Sequence, residues 1–200
     1  MIKTLVTDEI ILNIKRFIKS GYFNNLDELE FQSPYSKALI YPTNDVLLYE
    51  HQFEAVKSII NDGETLNVMQ MGYCEGFFSP QTVIYRFEFP ADYDEYSSLP
   101  FDTISLMFPD SMRWILFIDE SLEGGEGLLV GDKDTIKEFN NIYDSNVKDI
   151  LRFVIFHIKD HQHRNVGFDH TLNILQNCYD ETYTYIYDKI DHVKNHKNNE

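Results

Sequence analysis

Residues 112–140, MRWILFIDESLEGGEGLLVGDKDTIKEFN, constrain this chain more than any other stretch. Trp114, Ile115, Leu116, Phe117 and Ile118 form an unbroken apolar and β-branched run, too short for most helices, that stops at a turn-prone acidic and glycine cluster over 119–127. The run predicts a central strand with Trp114, Leu116 and Ile118 on one face and Ile115 and Phe117 on the other, both buried. Leu128, Leu129 and Val130 predict a second strand beyond the loop. Gly131 and Asp132 punctuate, and Asp132 or Asp134 is placed to cap a helix carrying Ile136, Phe139 and Tyr143 at spacings of three and four.

The rest of the chain arranges itself around that unit. Thr7 is placed to cap a helix with Asp8 and Glu9 in its positive first turn, an apolar face of Ile10, Ile11, Ile14, Phe17 and Ile18, and Gly21 as its stop. Residues 1–18 therefore read as part of a helix rather than a signal peptide, since Asp8 and Glu9 interrupt any apolar leader core. Residues 21–41 read as a long connection with one helical turn around 26–31. A second helix is expected from Thr43 or Asn44 to Gly63, with Val46, Tyr49, Phe53, Val56 and Ile60 on one side.

At Glu64 the period changes to that of a strand, which runs from Leu66 to near Cys74. Val83, Tyr85, Phe87 and Phe89 form its antiparallel partner, ended by Pro90. Residues 91–101, ADYDEYSSLPF, read as an acidic, tyrosine-bearing loop, and 104–108 as a short strand. Helices are expected over 145–161 and 172–193, with a frayed tail at 195–200. Helices at both ends and consecutive strands between them imply a single α+β domain over 1–200. Its antiparallel sheet would have roughly four or five strands flanked by N-terminal and C-terminal helices.

Composition sets the functional bounds. With 43% hydrophobic residues the chain can bury a sizeable core, and no apolar run approaches a membrane span. Two cysteines, Cys74 and Cys178, fit neither a disulfide framework nor a zinc ribbon, which points to a reducing, cytoplasmic setting. A net charge of -16 repels nucleic acid phosphates and anionic headgroups, so the expected partner is a basic protein rather than nucleic acid or membrane.

Sites of chemistry are thinly signalled. His157 and His161 sit four apart, so one helix face would carry both, with His163 close by, and zinc sites use such pairs. The general-base Glu of an HEXXH motif is missing, and histidines also gather at helix C-termini for the dipole alone. No GxSxG elbow is present and neither cysteine has an activating neighbour. The run around Gly124, Gly125 and Gly127 lacks a Lys-Ser/Thr pair and leads into a strand, so it reads as a wide hairpin loop. No cofactor is expected.

Charge placement is the uneven feature. Between Glu88 and Asp134, 12 acidic residues meet only two basic ones, Arg113 and Lys133. Tyr93 and Tyr96 are interleaved with Asp92, Asp94 and Glu95, while Asp119, Glu120, Glu123 and Glu126 line the glycine loop. Aromatic anchors in a charged rim are the composition of a protein interface. The strand WILFID, the loop ESLEGGEG, the second strand and the capped helix, residues 114–139, resemble the small acidic cytoplasmic immunity proteins that bacteria encode beside polymorphic toxins. That resemblance implies a non-enzymatic protein that binds and blocks a toxin domain, often a basic nuclease. The alternative class is a metal-dependent hydrolase using His157, His161 and His163. Oligomeric state stays open.

Overall fold

A computed structural model describes residues 1–20, 30–32, 34–70, 82–88, 90–101, 104–119 and 125–143. The chain divides into two compact units, Met1–Ile150 and Leu151–Glu200, and the second lies outside the described residues, as do the helices expected over 145–161 and 172–193.

In chain order the described elements are β1 (Ile2–Leu5), α1 (Asp8–Lys15), β2 (Ile18–Ser20), β3 (Glu30–Phe31), β4 (Ser36–Thr43), α2 (Glu50–Ser58), β5 (Leu66–Gln70) and β6 (Val83–Phe87). There follow α3 (Tyr93–Ser97), β7 (Ser105–Pro109), β8 (Trp114–Asp119), β9 (Gly125–Gly131) and α4 (Lys133–Ile142). The class is α+β. The main sheet has seven strands in the order β1-β6-β5-β7-β8-β9-β4, every pairing antiparallel, and β2 and β3 make a separate two-stranded sheet. This is wider than the four or five strands expected, because β1 and β4, read as helix and connection, close its two edges.

Strand alternation divides the sheet into two apolar faces. Tyr85, Val68, Met107, Leu116, Leu129 and Ala38 follow one another across six strands on the first face. Ile84, Met69, Leu106, Phe117, Leu128 and Leu39 do the same on the second. All twelve are buried. Both faces of β8 are therefore dry, as its continuous apolar run requires. Phe53, Val56 and Ile59 of the α2 region, Tyr96 of α3, and Ile136 and Phe139 of α4 pack on the first face. Phe31 of β3 sits against Phe117 on the second, ring centroids 5.6 Å apart.

Two of the expected helices change their bounds. Residues 2–5 are extended and only Asp8–Lys15 is helical, with the Thr7 hydroxyl accepting from Ile10 N at 3.3 Å. The second helix starts at Glu50 rather than near residue 43. Asn44 and Leu47 bond each other's backbones in a tight turn, Asp45 has φ 53°, and the Thr43 hydroxyl donates to Asp45 O at 2.7 Å. This turn puts Val46 and Leu48 into the core without a helix. Gln52 then ties three elements together: its Oε1 accepts from Tyr49 N at 2.9 Å, and its Nε2 donates to Pro42 O at 2.7 Å and to the Tyr143 hydroxyl at 3.5 Å.

The glycine cluster is also reassigned. Gly125, Glu126 and Gly127 belong to β9 rather than to a loop. A Cβ on Gly125 would lie 1.7 Å from Asp45 O and 2.2 Å from Thr43 Oγ1, so the turn after β4 presses against bare backbone. Among the described residues, no helix is long and apolar enough to cross a membrane.

Candidate protein-binding face

Residues 93–97 fold as a helix because Asp92 caps it: its carboxylate accepts from Glu95 N at 3.0 Å, and Tyr96 N closes the first turn on Asp92 O at 3.1 Å. The sequence carried a signal for this. Asp92 and Glu95 stand at capping-box spacing, and Tyr93 and Tyr96 are three apart, on one side of a helix.

Tyr96 is the pin of the arrangement. Its side chain is 0% exposed, its ring stacks on Phe53 at 4.6 Å, and its hydroxyl accepts from Leu48 N at 2.8 Å. Burial drives its phenol far above the ordinary range, well past what the Leu48 bond offsets, so it stays neutral. The sequence placed Tyr96 among partner-contacting residues; it is instead a core residue, because its capped helix lays it against α2. Tyr93, half-buried, donates to Leu48 O at 3.3 Å and tilts against Phe53 at 5.6 Å. Its phenol is also raised, by burial first and then by the charge of Glu50 and the neighbouring Tyr49 and Asp94.

With both rings turned inward, α3 shows solvent its carboxylates. Asp92, Asp94 and Glu95 are exposed, and Glu50 and Glu54 of α2 are exposed beside them. Glu54 is bonded to Lys57 at 2.5 Å, and Glu95 lies 3.2 Å from the Met1 amine. Next to these acids runs an aromatic row that the sequence reading did not single out. Tyr49 is 41% exposed, the His51 ring lies 6.2 Å from it, and the buried Tyr143 ring lies 6.4 Å from His51. A Tyr-Glu-His triplet at a helix start would have been the clue, but only the α2–α4 packing brings Tyr143 to it.

The acidic residues named from the sequence do not all share this face. Asp119 and Glu126 oppose each other across β8 and β9, and by alternation they belong with Phe117 and Leu128 on the second face of the sheet. Glu126 is 9% exposed and Asp119 is half-buried, so neither is a freely presented charge. Glu120 and Glu123 lie outside the described residues, as do His157, His161 and His163.

No family model, curated protein or solved structure matches this chain. What the α2–α3 face can do follows from its own chemistry. Among the described residues no group of three or more His, Cys, Asp or Glu side chains could hold a metal. Fixed carboxylates beside a stacked aromatic row are groups that attract and seat a cationic surface.

Proposed function

We propose that this chain is a non-enzymatic, acidic protein-binding domain that acts in the cytoplasm. By the resemblance of residues 114–139, its partner is a basic, nuclease-like toxin domain for which it serves as immunity protein. The observation carrying this reading is the rigid seating of α3. Tyr96 locks the helix to α2, so Asp92, Asp94 and Glu95 are held in place before a partner arrives. A surface whose charges are already fixed attracts a basic partner over distance and loses little freedom when it docks.

The partner to test is the product of the neighbouring reading frame. Association is measured by biolayer interferometry over a salt series, comparing the natural chain with D92N/D94N/E95Q. Asn also caps helices, so the fold of α3 is retained. The triple change is expected to slow association about five-fold at low salt and to flatten the salt dependence, with dissociation little altered. Equal on-rates for the two proteins, or binding insensitive to salt, would rule this face out as the contact.

A further inference from the structure

The two edges of the main sheet differ. β4, at one edge, keeps Ala38, Leu39, Ile40 and Tyr41 buried, whereas β1, at the other, is wet. Ile2 is 53% and Leu5 60% exposed on β1, and Leu12 on the adjoining α1 is 59% exposed. Among the described residues no strand pairs with the outer side of β1; natural sheets blunt such an edge with bulges, prolines, short strands or charges, and IKTL, a short strand, carries only Lys3, whose ammonium lies 5.2 Å from the centre of the Tyr85 ring on the neighbouring strand.

The hydrogen-bonding phase of this edge is fixed. Val6 N donates to Thr82 O at 3.0 Å, in register with Ile2 opposite Arg86 and Thr4 opposite Ile84. Ile2, Thr4 and Val6 therefore bond inward to β6, while the N–H and C=O of Lys3 and Leu5 point outward.

We infer that β1 pairs antiparallel with β1 of a second copy of this chain, joining the two seven-stranded sheets into one across a two-fold axis at Thr4. In that register Lys3 exchanges both backbone bonds with Leu5 of the second copy, Thr4 faces Thr4, and Ile2 faces Val6. A register centred on Lys3 would set two ammonium groups opposite each other, and one centred on Leu5 would spend Thr7, which already caps α1.

Charge also selects a second copy at this edge. β1 carries Lys3 near its start and leads into Asp8 and Glu9 at the start of α1, so antiparallel pairing brings the basic start of each strand toward the acidic residues that follow the other. Residues 1–20 carry four basic side chains, Lys3, Lys15, Arg16 and Lys19, against two acidic ones, in a chain of net charge -16. Two copies therefore repel least where these segments meet.

Thr4→Cys in a C74S/C178S background tests the register, since directly opposed non-hydrogen-bonded residues lie within disulfide reach. Mild oxidation is expected to give a covalent dimer as the main species, and Lys3→Cys, which faces Leu5 rather than itself, to give at least about ten-fold less. Leu5→Pro removes an outward donor that β6 does not use. By sedimentation equilibrium it is expected to raise the dimer dissociation constant at least about ten-fold while the Trp114 fluorescence transition stays in place. Salt is expected to strengthen the dimer by screening like-charged copies, opposite to its effect on a basic partner, so this inference and the proposed function fail separately. A chain that stays monomeric at millimolar concentration in high salt would overturn the pairing. So would equal cross-linking of Lys3→Cys and Thr4→Cys, or a Leu5→Pro dimer as tight as the natural one.

Discussion

Replacing Tyr96 by Phe removes one oxygen from a packed site and leaves its shape nearly intact. The ring keeps its stack on Phe53, so no cavity larger than the lost hydroxyl forms. Leu48 N–H, which that hydroxyl accepts at 2.8 Å, is then left in a dry core with no acceptor. Stranding a buried donor costs about 1–3 kcal/mol. Taken as about 2 kcal/mol, with a urea slope near 2 kcal/mol per molar, the unfolding midpoint should fall by about 1 M. The chain has one tryptophan, Trp114, fully buried in β8, so its fluorescence reports the unfolding of this sheet directly. Tyr93→Phe is the internal control. Its bond to Leu48 O is longer, 3.3 Å, and only part-buried, so the loss should stay below about 1 kcal/mol. If Y96F unfolds within about 0.5 kcal/mol of the natural chain, the hydroxyl does not hold α3 to α2 as described.

Three further outcomes follow from the packing and the titrating groups. Gly125→Ala drives a methyl into Asp45 O and should cost about 3 kcal/mol or more, read by the same fluorescence transition. Phe117→Ala empties a site buried on the second face against Phe31 and should cost about 3–5 kcal/mol by urea denaturation. Glu64 and Asp132 titrate below their ordinary values of 4.5 and 3.8: partial burial raises each, but hydrogen bonds from Ser111 and Asn61 to Glu64, and from Thr135 to Asp132, outweigh it, aided by Arg113. Both are lower in the folded state, so their contribution is complete above those ordinary values and lost as pH falls through the folded ones. A calorimetric series of Tm against pH should therefore drop on the acid side, and E64Q/D132N, in which Asn still caps α4, should show a shallower drop.

What could be read from residues alone was what short-range periodicity encodes. Trp114 through Ile118 announce a strand buried on both faces, Val83 to Phe87 alternate, and Asp132 precedes an apolar stripe at helical spacing. Each signal sits within one element. β4 escaped because Asn24, Asn25, Ser33 and Pro34 suggested a long connection, although Ala38, Leu39, Ile40 and Tyr41 form a continuous apolar run. β1 escaped because an edge strand has no buried pattern to show, and its apolar residues merged into the period of α1. The concentration of acidic residues was legible as composition, but not where the fold would place each of them. Counting charges grouped Asp119 and Glu126 with Asp92, Asp94 and Glu95, whereas strand alternation and the seating of Tyr96 assign them to different faces of the sheet. Of the Tyr49–His51–Tyr143 row only the Tyr49-Glu50-His51 triplet stood in the sequence, since Tyr143 joins it only through the packing of α2 on α4.

The strand order carries a consequence for how the chain is made. Both edges of the sheet come from its first 43 residues: Ile2 meets Arg86, and Ser36 meets Gly131. During synthesis those early residues leave the ribosome without the strands they must join, and at about 5–20 residues per second the partner of β4 follows on the order of ten seconds later. β7, β8 and β9, a meander of consecutive neighbours, close over short loops as soon as they are made. β1 can dock once β6 (Val83–Phe87) is made, but β4 must wait for β9, the last strand of the sheet. An N-terminal fusion that slows this late docking would lower the yield of folded chain while leaving the stability of the finished molecule unchanged.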